Sequence, residues 1–551
     1  MGRTLFWYLF KDLVKLFLLA SIVLAGVMSL GGLLQPLTKA GLDVTQVVQM
    51  WLYLMPAMMT YSMPVAAVFA TSMVYGRLSA DNELTACRAA GISYKSIVAP
   101  AVAMGIVGAI VSLLFLSFVV PFFFLRGEQV IYANVSKYIA SEIQRKHEFS
   151  LGKSKPSIFA QQAFVPGTSG KGGEQVVVLE RPTIVTYSYD PADPSLRVPK
   201  TFSMAGAVTL YIRRGEDNSA EVWGVLKDVT TFSRVAGSRP QVGIGQTEFG
   251  PVVMPSPIKQ QVKFMDVMRL RGLLDAPENT ERVQRAIRLF VETEQQQMLY
   301  RKIAIGATQG PGYSFGDGEQ YELSAPGATW SIQGSKSDQL RLQAGERPVR
   351  MTIRRTGGGI TRIADARSAT IIADMDNEAN LVVVRITLED VTLPVGDEQI
   401  SKATDQQICT VPMSAELQQV RGRRVADFLT QNSVSQQENI LRLKREQMVA
   451  TNEIIVEMHS RASYGISCLV LVLVGSVLGM QFKSGDFLTA FSVSVIPALL
   501  TITLVVSGGQ VSTDVPMTLV NPLPFGLSLI WAGNVVAALL AAWLFSRIRK
   551  T

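Results

Sequence analysis

Apolar positions along this chain fall into two blocks that flank a polar middle. Near-continuous hydrophobic runs cover residues 16–34, 47–74 and 100–125, then 466–482, 487–506 and 525–545. Each is long enough to cross a bilayer as a helix. Pro56, Pro64 and Pro121 fall inside the first three runs, where membrane helices tolerate kinks. The first run is too long for the apolar core of a signal peptide and lacks a small-residue cleavage site, so it is expected to be retained. Phe6 stands where a myristoylation motif needs Ser or Thr.

Between the blocks the period changes from helix to strand. Residues 175–189, 205–212, 221–232, 348–355, 369–375 and 381–393 alternate apolar and polar positions and predict β-strands. A helical stripe of Val283, Ile287, Phe290 and Val291 interrupts them over about 280–302. A second helix is expected to start near Ser435, where Glu438 completes a capping box, and to run on into the fourth apolar segment. Asp228-Val229-Thr230 closes one set of strands and Asp390-Val391-Thr392 the other. That echo suggests two consecutive β-sandwich-like modules; one large sandwich with a long insertion is the alternative.

One short stretch between the second and third apolar runs fits neither class. YGRLSADNELTACRAAGISY (75–94) carries Arg77, Asp81, Glu83 and Arg88, which are expensive at bilayer depth. Gly91 sits where a helix stop belongs. The pattern predicts a helix over about 79–90 lying outside the membrane and tied at both ends to spans. Either it is an ordinary amphipathic loop, or it is a contact piece able to pass a push into the helices beside it.

Basic residues orient the spans. Arg3, Lys11, Lys15, Arg77, Arg88, Lys95, Lys483, Arg547, Arg549 and Lys550 gather on one side, and the short loops opposite hold only Lys39. The positive-inside rule then predicts cytoplasmic termini, a cytoplasmic 75–95 loop, and an external region from about 126 to 460. The chain therefore divides into spans one to three (1–125), a first β module (126–275), a helical linker (276–309), a second β module (310–410), a helical connection (411–460) and spans four to six (461–551). The expected fold class is a six-helix (3+3) membrane domain with a large β-rich, jellyroll-like or β-sandwich-like domain inserted between helices 3 and 4.

Composition supports this division. Of 551 residues, 48% are hydrophobic and only 17% charged. The net charge of +8 comes without any Lys/Arg cluster interleaved with aromatics, so span-end anchors explain it better than nucleic acid does. Cys87, Cys409 and Cys468 fall in separate regions and imply no disulfide framework. With only two histidines, an ordinary zinc site is not expected. Residues 167–173, GTSGKGG, have the wrong spacing for a phosphate loop, and no G-x-S-x-G, S-x-x-K or H-E-x-x-H motif stands out. Carboxylates are scarce inside the spans, unlike those of ion pumps. The chain reads as a mechanical part with no catalytic or metal site and no cofactor of its own.

The passages 64–93 (PVAAVFATSMVYGRLSADNELTACRAAGIS), 457–480 (EMHSRASYGISCLVLVLVGSVLGM) and 524–544 (PFGLSLIWAGNVVAALLAAWL) resemble the LptF/LptG (YjgP/YjgQ) lipopolysaccharide-export permeases. The resemblance rests also on Pro56, Pro64, Glu457, Arg461, Gly475, Gly479, Trp531 and Asn534. It implies the permease subunit of an ABC-type extractor. Such a subunit pairs with a second permease, a paralogue or itself, on a dimer of LptB-like ATPases that use ATP. It passes lipopolysaccharide, or a related glycolipid, from the inner membrane to LptC/LptA-like periplasmic jellyroll proteins. By position, Arg77, Ser79, Asp81, Glu83 and Arg88 become candidates for ATPase coupling, and spans one and five for a lateral gate. Lys39 becomes a candidate head-group contact where one paralogue of the family has several basic residues. The external region is longer than one family jellyroll needs. Two other readings remain: a mechanotransmitting ABC subunit without transported lipid, and a membrane-anchored periplasmic scaffold or sensor.

Overall fold

A computed structural model describes the chain apart from residues 1, 41–43, 125, 127–134, 151–156, 167–174, 190–196, 215–219, 234–240, 255–261, 311, 316–318, 332–338, 356–359, 378–379, 396–397, 423–436, 482–486 and 551. Ser435, the expected helix cap, lies outside the described residues, as do 167–173. The chain forms two compact units, one of 1–276, 451–515 and 520–551, the other of 277–450 and 516–519.

In the first unit, α1 (Gly2–Ala40) and α2 (Val44–Ala80) are followed by the short α3 (Glu83–Ala89) and by α4 (Tyr94–Leu114). A π-helical turn, Phe115–Val119, extends α4. After α5 (Val135–Lys146) come nine strands: β1 (Glu148–Ser150), β2 (Ser157–Phe159), β3 (Gln162–Phe164), β4 (Gln175–Glu180), β5 (Thr183–Tyr189), β6 (Arg197–Met204), β7 (Ala207–Arg214), β8 (Ala220–Ser233) and β9 (Gln241–Met254). They pair in the order β1-β2-β5-β6-β8-β7-β4-β3, with β9 also on β8. The run 175–189, expected as one strand, is two. Arg181 takes a left-handed backbone (φ 47°) and Pro182 has no N–H to offer a ladder. The halves then go to different neighbours, β4 to β7 and β5 to β2 and β6.

In the second unit, α6 (Val267–Asp275) having closed the preceding segment, α7 (Glu281–Gln309) leads into β10 (Tyr313–Phe315), β11 (Glu319–Ser324), β12 (Gly327–Ser331), β13 (Gln339–Gln343), β14 (Val349–Arg355), β15 (Ile360–Ala366), β16 (Ser368–Asp376), β17 (Leu381–Val395) and β18 (Glu398–Pro412). Their order is β10-β11-β14-β15-β17-β16-β13-β12, with β18 also on β17. The short α8 (Ala415–Arg421) follows. Among the described residues no strand of one sheet pairs with the other. Both cores are aliphatic: Val177, Leu179, Val208 and Leu210 are fully buried in the first, as are Leu340, Leu342, Ala369 and Ile371 in the second.

The remaining helices are α9 (Gln437–Gln481), α10 (Phe487–Thr513) and α11 (Leu523–Lys550). Among the described residues six helices are long and apolar enough to cross a membrane: Arg3–Gly31, Val47–Ala80, Tyr94–Phe124, Asn439–Gln481, Ser492–Thr513 and Leu523–Arg547. In α9 the most apolar window is 83% buried, against 28–39% in the other five, which makes it the helix around which the rest pack. Small residues permit that packing, because backbones can approach only where side chains are short. A Cβ on Gly475 of α9 would lie 2.3 Å from Thr71 Oγ1 and 2.9 Å from the Val68 carbonyl of α2. A Cβ on Gly526 of α11 would lie 1.8 Å from Ser512 Oγ and 2.5 Å from the Gly508 carbonyl of α10.

Gly475→Ala and Gly526→Ala should each force those backbones apart at a cost of about 1–3 kcal/mol. The expected readout is a lower thermal midpoint for the detergent-solubilised protein, with Gly31→Ala, whose Cβ meets nothing within 4 Å, unchanged as control.

Candidate coupling loop and the helices beneath it

The stretch expected as one helix over 79–90 has a break in it. α2 persists to Ala80, Asp81 and Asn82 form a turn, and α3 occupies only Glu83–Ala89. The cause is Asn82, whose left-handed backbone (φ 58°) ends the first helix and whose carbonyl accepts the first bond of the next, from Ala86 N–H at 3.0 Å. The far end closes as a Schellman motif. Ile92 N–H donates to the Cys87 carbonyl (3.0 Å) and Gly91 N–H to that of Arg88 (2.9 Å), with Gly91 left-handed (φ 78°). Ser93 then caps α4, its Oγ accepting from Ser96 N–H.

This geometry sorts the candidate residues into two groups. Asp81, Glu83 and Arg88 face outward, together with Thr85, Ala86, Ala89 and Ala90. Arg88 lies over the Tyr94 ring, 4.8 Å from its centroid. Leu84 points the other way and joins the core of the helix bundle, with Cys87, Ile92 and Tyr94 packed beside it. Ser79 is not on the outward face. It is buried, and its Oγ donates to the Met480 carbonyl of α9 at 3.1 Å. Arg77 reaches Asp12 of α1, Nη2 to Oδ2 at 2.8 Å. Because that pair is well exposed, its stabilisation is about 0.2–1 kcal/mol, and its contribution is chiefly to register. Tyr75, fully buried, donates its hydroxyl to the Ile97 carbonyl of α4 at 2.8 Å.

The loop therefore stands on four helices that are tied to one another directly beneath it. Asp12 holds α1 to α2, Tyr75 holds α2 to α4, and Ser79 holds α2 to α9. The pattern that marked the loop in the sequence could not show these ties. Nothing in it marked Asp12 as the partner of Arg77.

A second polar seam joins α9 to α11. Ser463 Oγ donates to the Ile530 carbonyl (3.0 Å), and Ser467 Oγ to Asn534 Oδ1 (2.9 Å). Asn534 Nδ2 donates to Ser463 Oγ (2.8 Å) and to its carbonyl (3.1 Å). Trp531 Nε1 donates to His459 Nδ1 at 3.2 Å. Arg461, buried, pairs with Glu457 (2.8 Å) and donates to the carbonyls of Lys263 (3.3 Å) and Met265 (2.8 Å), fastening the segment after β9 to α9. These are groups that an apolar surrounding leaves no water to satisfy. Lys39 lies in α1, and its side chain falls outside the described residues. No cluster of His, Cys, Asp or Glu fit to hold a metal occurs among the described residues.

A family model described as lipopolysaccharide export system permease LptF/LptG matches residues 7–183 and 341–547. Among curated proteins no match was found. The match takes in the candidate coupling loop and its four supporting helices, the Glu457–Arg461 pair and the Ser463–Asn534 seam. It leaves out 184–340. The chain thus belongs to the LptF/LptG family of lipopolysaccharide export system permeases.

Proposed function

We propose that this protein is the permease subunit of an ABC-type extractor that lifts lipopolysaccharide, or a related glycolipid, out of the inner membrane toward a periplasmic bridge. ATP is hydrolysed by a separate LptB-like dimer, and a second permease of the same family, a paralogue or another copy, completes the membrane part. LptC/LptA-like jellyroll proteins receive the lipid. The observation that carries this reading is the coupling loop. It presents charge and three alanines on a small surface, and the helices under it are bonded to one another, so displacement of α3 moves α1, α2, α4 and α9 together. A scaffold or sensor has no use for such a junction.

The energetics favour lipid as cargo. Moving several acyl chains into water costs about 0.8 kcal/mol per CH2, tens of kcal/mol in total. A continuous apolar surface removes most of that cost, and the aliphatic faces of the two sheets are of the kind required. In this reading both termini and the coupling loop face the cytoplasm, and the β-rich region faces the periplasm.

Charge reversal at the outward face, Glu83→Lys, should weaken co-purification of the ATPase at least about tenfold, about 1.4 kcal/mol. Membrane insertion should be unchanged, because Glu83 makes no contact with the core; undiminished association would favour a scaffold. Orientation is checked by thiol labelling. Cys87 is partly exposed, Cys468 is buried, and burial pushes the Cys409 thiol up to about 12, far from the reactive range. A membrane-permeant maleimide should therefore label Cys87 first in intact cells, and an impermeant one applied from outside should leave it unlabelled. Photo-crosslinking probes on the exposed faces of α1 and α10, at Ile22 and Ile496, should recover a glycolipid. Recovery of ordinary phospholipid alone would change the substrate.

A further inference from the structure

The two β-rich modules match each other in more than strand order. When β1 to β9 are laid on β10 to β18 in sequence, every pairing in one sheet has its counterpart in the other. The helix leading into each module buries the same pattern, Val135, Ile139, Ala140 and Ile143 on α5 and Leu299, Ile303, Ala304 and Ala307 on α7. At the start of the fourth connection, Arg181 N–H donates to the Gly206 carbonyl and Ala344 N–H to that of Arg367. At the next corner Gly206 N–H donates to the Lys227 carbonyl and Arg367 N–H to that of Glu389, both at 3.0 Å. The long strand of each module then bends at a left-handed aspartate, Asp228 (φ 54°) and Asp390 (φ 52°). Before the bend it pairs with β7 or β16, and beyond it Thr230 pairs with Met204 and Thr392 with Asp365. A left-handed non-glycine residue in mid-strand is uncommon. Two at equivalent places, within one nearly constant sequence offset, are a repeat.

The family match breaks in phase with that repeat. It stops at residue 183, just past β4, and resumes at 341, within β13, the strand equivalent to β4. A pattern for one module is thus satisfied by the opening of the first module and the close of the second. We infer that the β-rich region is a tandem duplication of a single family module, and that the added copy gives the permease a second, equivalent lipid-holding interior. The second half of this inference rests on the lipid reading given above; the first half does not. Positions facing the two interiors correspond one to one: Val177 with Leu340, Leu179 with Leu342, Val208 with Ala369, and Leu210 with Ile371. All are fully buried, so a lipid enters either interior only by parting the packed faces.

A duplication makes one module-length removable. Deleting 181–343 joins Glu180 to Ala344 and leaves nine strands, β1–β4 followed by β14–β18, in the same order. In the full chain Val178 pairs with Thr209, whereas Arg341, its counterpart, pairs with Thr370. Cysteines placed by Val178→Cys and Thr370→Cys should therefore form a disulfide in the shortened chain and none in the full-length one. A deletion ten residues longer, 181–353, removes most of β14 together with β5, leaves no strand to stand between β2 and β15, and should fail to accumulate. Equal loss of both shortened chains, or a membrane-inserted 181–343 deletion without the disulfide, overturns the duplication. For the second interior, photo-crosslinking residues replace Leu210 and Ile371 in separate full-length chains. Comparable glycolipid adducts at both are expected, and adducts at one alone overturn the second holding site. Adducts at neither count against the lipid reading itself, while the deletion pair still decides the duplication.

Discussion

A polar group inside a bundle of apolar helices must find its partner in the protein, because no water is at hand. Much of the membrane part of this permease follows from that constraint. Many of its buried hydroxyls and amides bond to backbone carbonyls of their own or neighbouring helices: Ser62 to Ser21, Tyr75 to Ile97, Ser79 to Met480, Ser463 to Ile530. Each tie is modest, on the order of 1 kcal/mol. Their placement matters more than their strength. Hydrocarbon side chains slide past one another with little preference for register, and a hydroxyl fixed on a particular carbonyl specifies one.

The loop between α2 and α4 uses the same device at its base. A seven-residue helix has too few internal hydrogen bonds to hold together alone. It persists because a left-handed Asn82 starts it, a Schellman turn through Gly91 ends it, and Leu84 anchors it in the core. Its outward face is then free to carry Asp81, Glu83 and Arg88. The short helix thus has one face anchored in the bundle and one face exposed.

How much of this the sequence disclosed depended on the range of the interaction. The six apolar segments, the long strands β8, β16 and β17, and the loop between α2 and α4 are local patterns and were legible. The sequence also carried the Asp-Val-Thr echo, though not its meaning, which is a left-handed bend at the same pairing switch. Strands of three residues, β1 to β3 and β10, are too short to show a period. The division of 175–189 at Arg181 was hidden by apolar residues on both sides of it. Ser79 looked like part of an exposed helix because nothing in the sequence places Met480 beside it. Arg77 gave no sign of Asp12 for the same reason.

The bent strands carry one more implication. A corner made by a loop can absorb an added or lost residue, but the corner in β8 and β17 is a single backbone conformation within a continuous strand. Insertion of one residue there would turn every later side chain to the opposite face, apolar outward and polar inward. Such a strand tolerates trimming only at its ends. For that reason a lineage building on this scaffold would lengthen it by whole modules, and evolutionary change in size would come in steps of about one module.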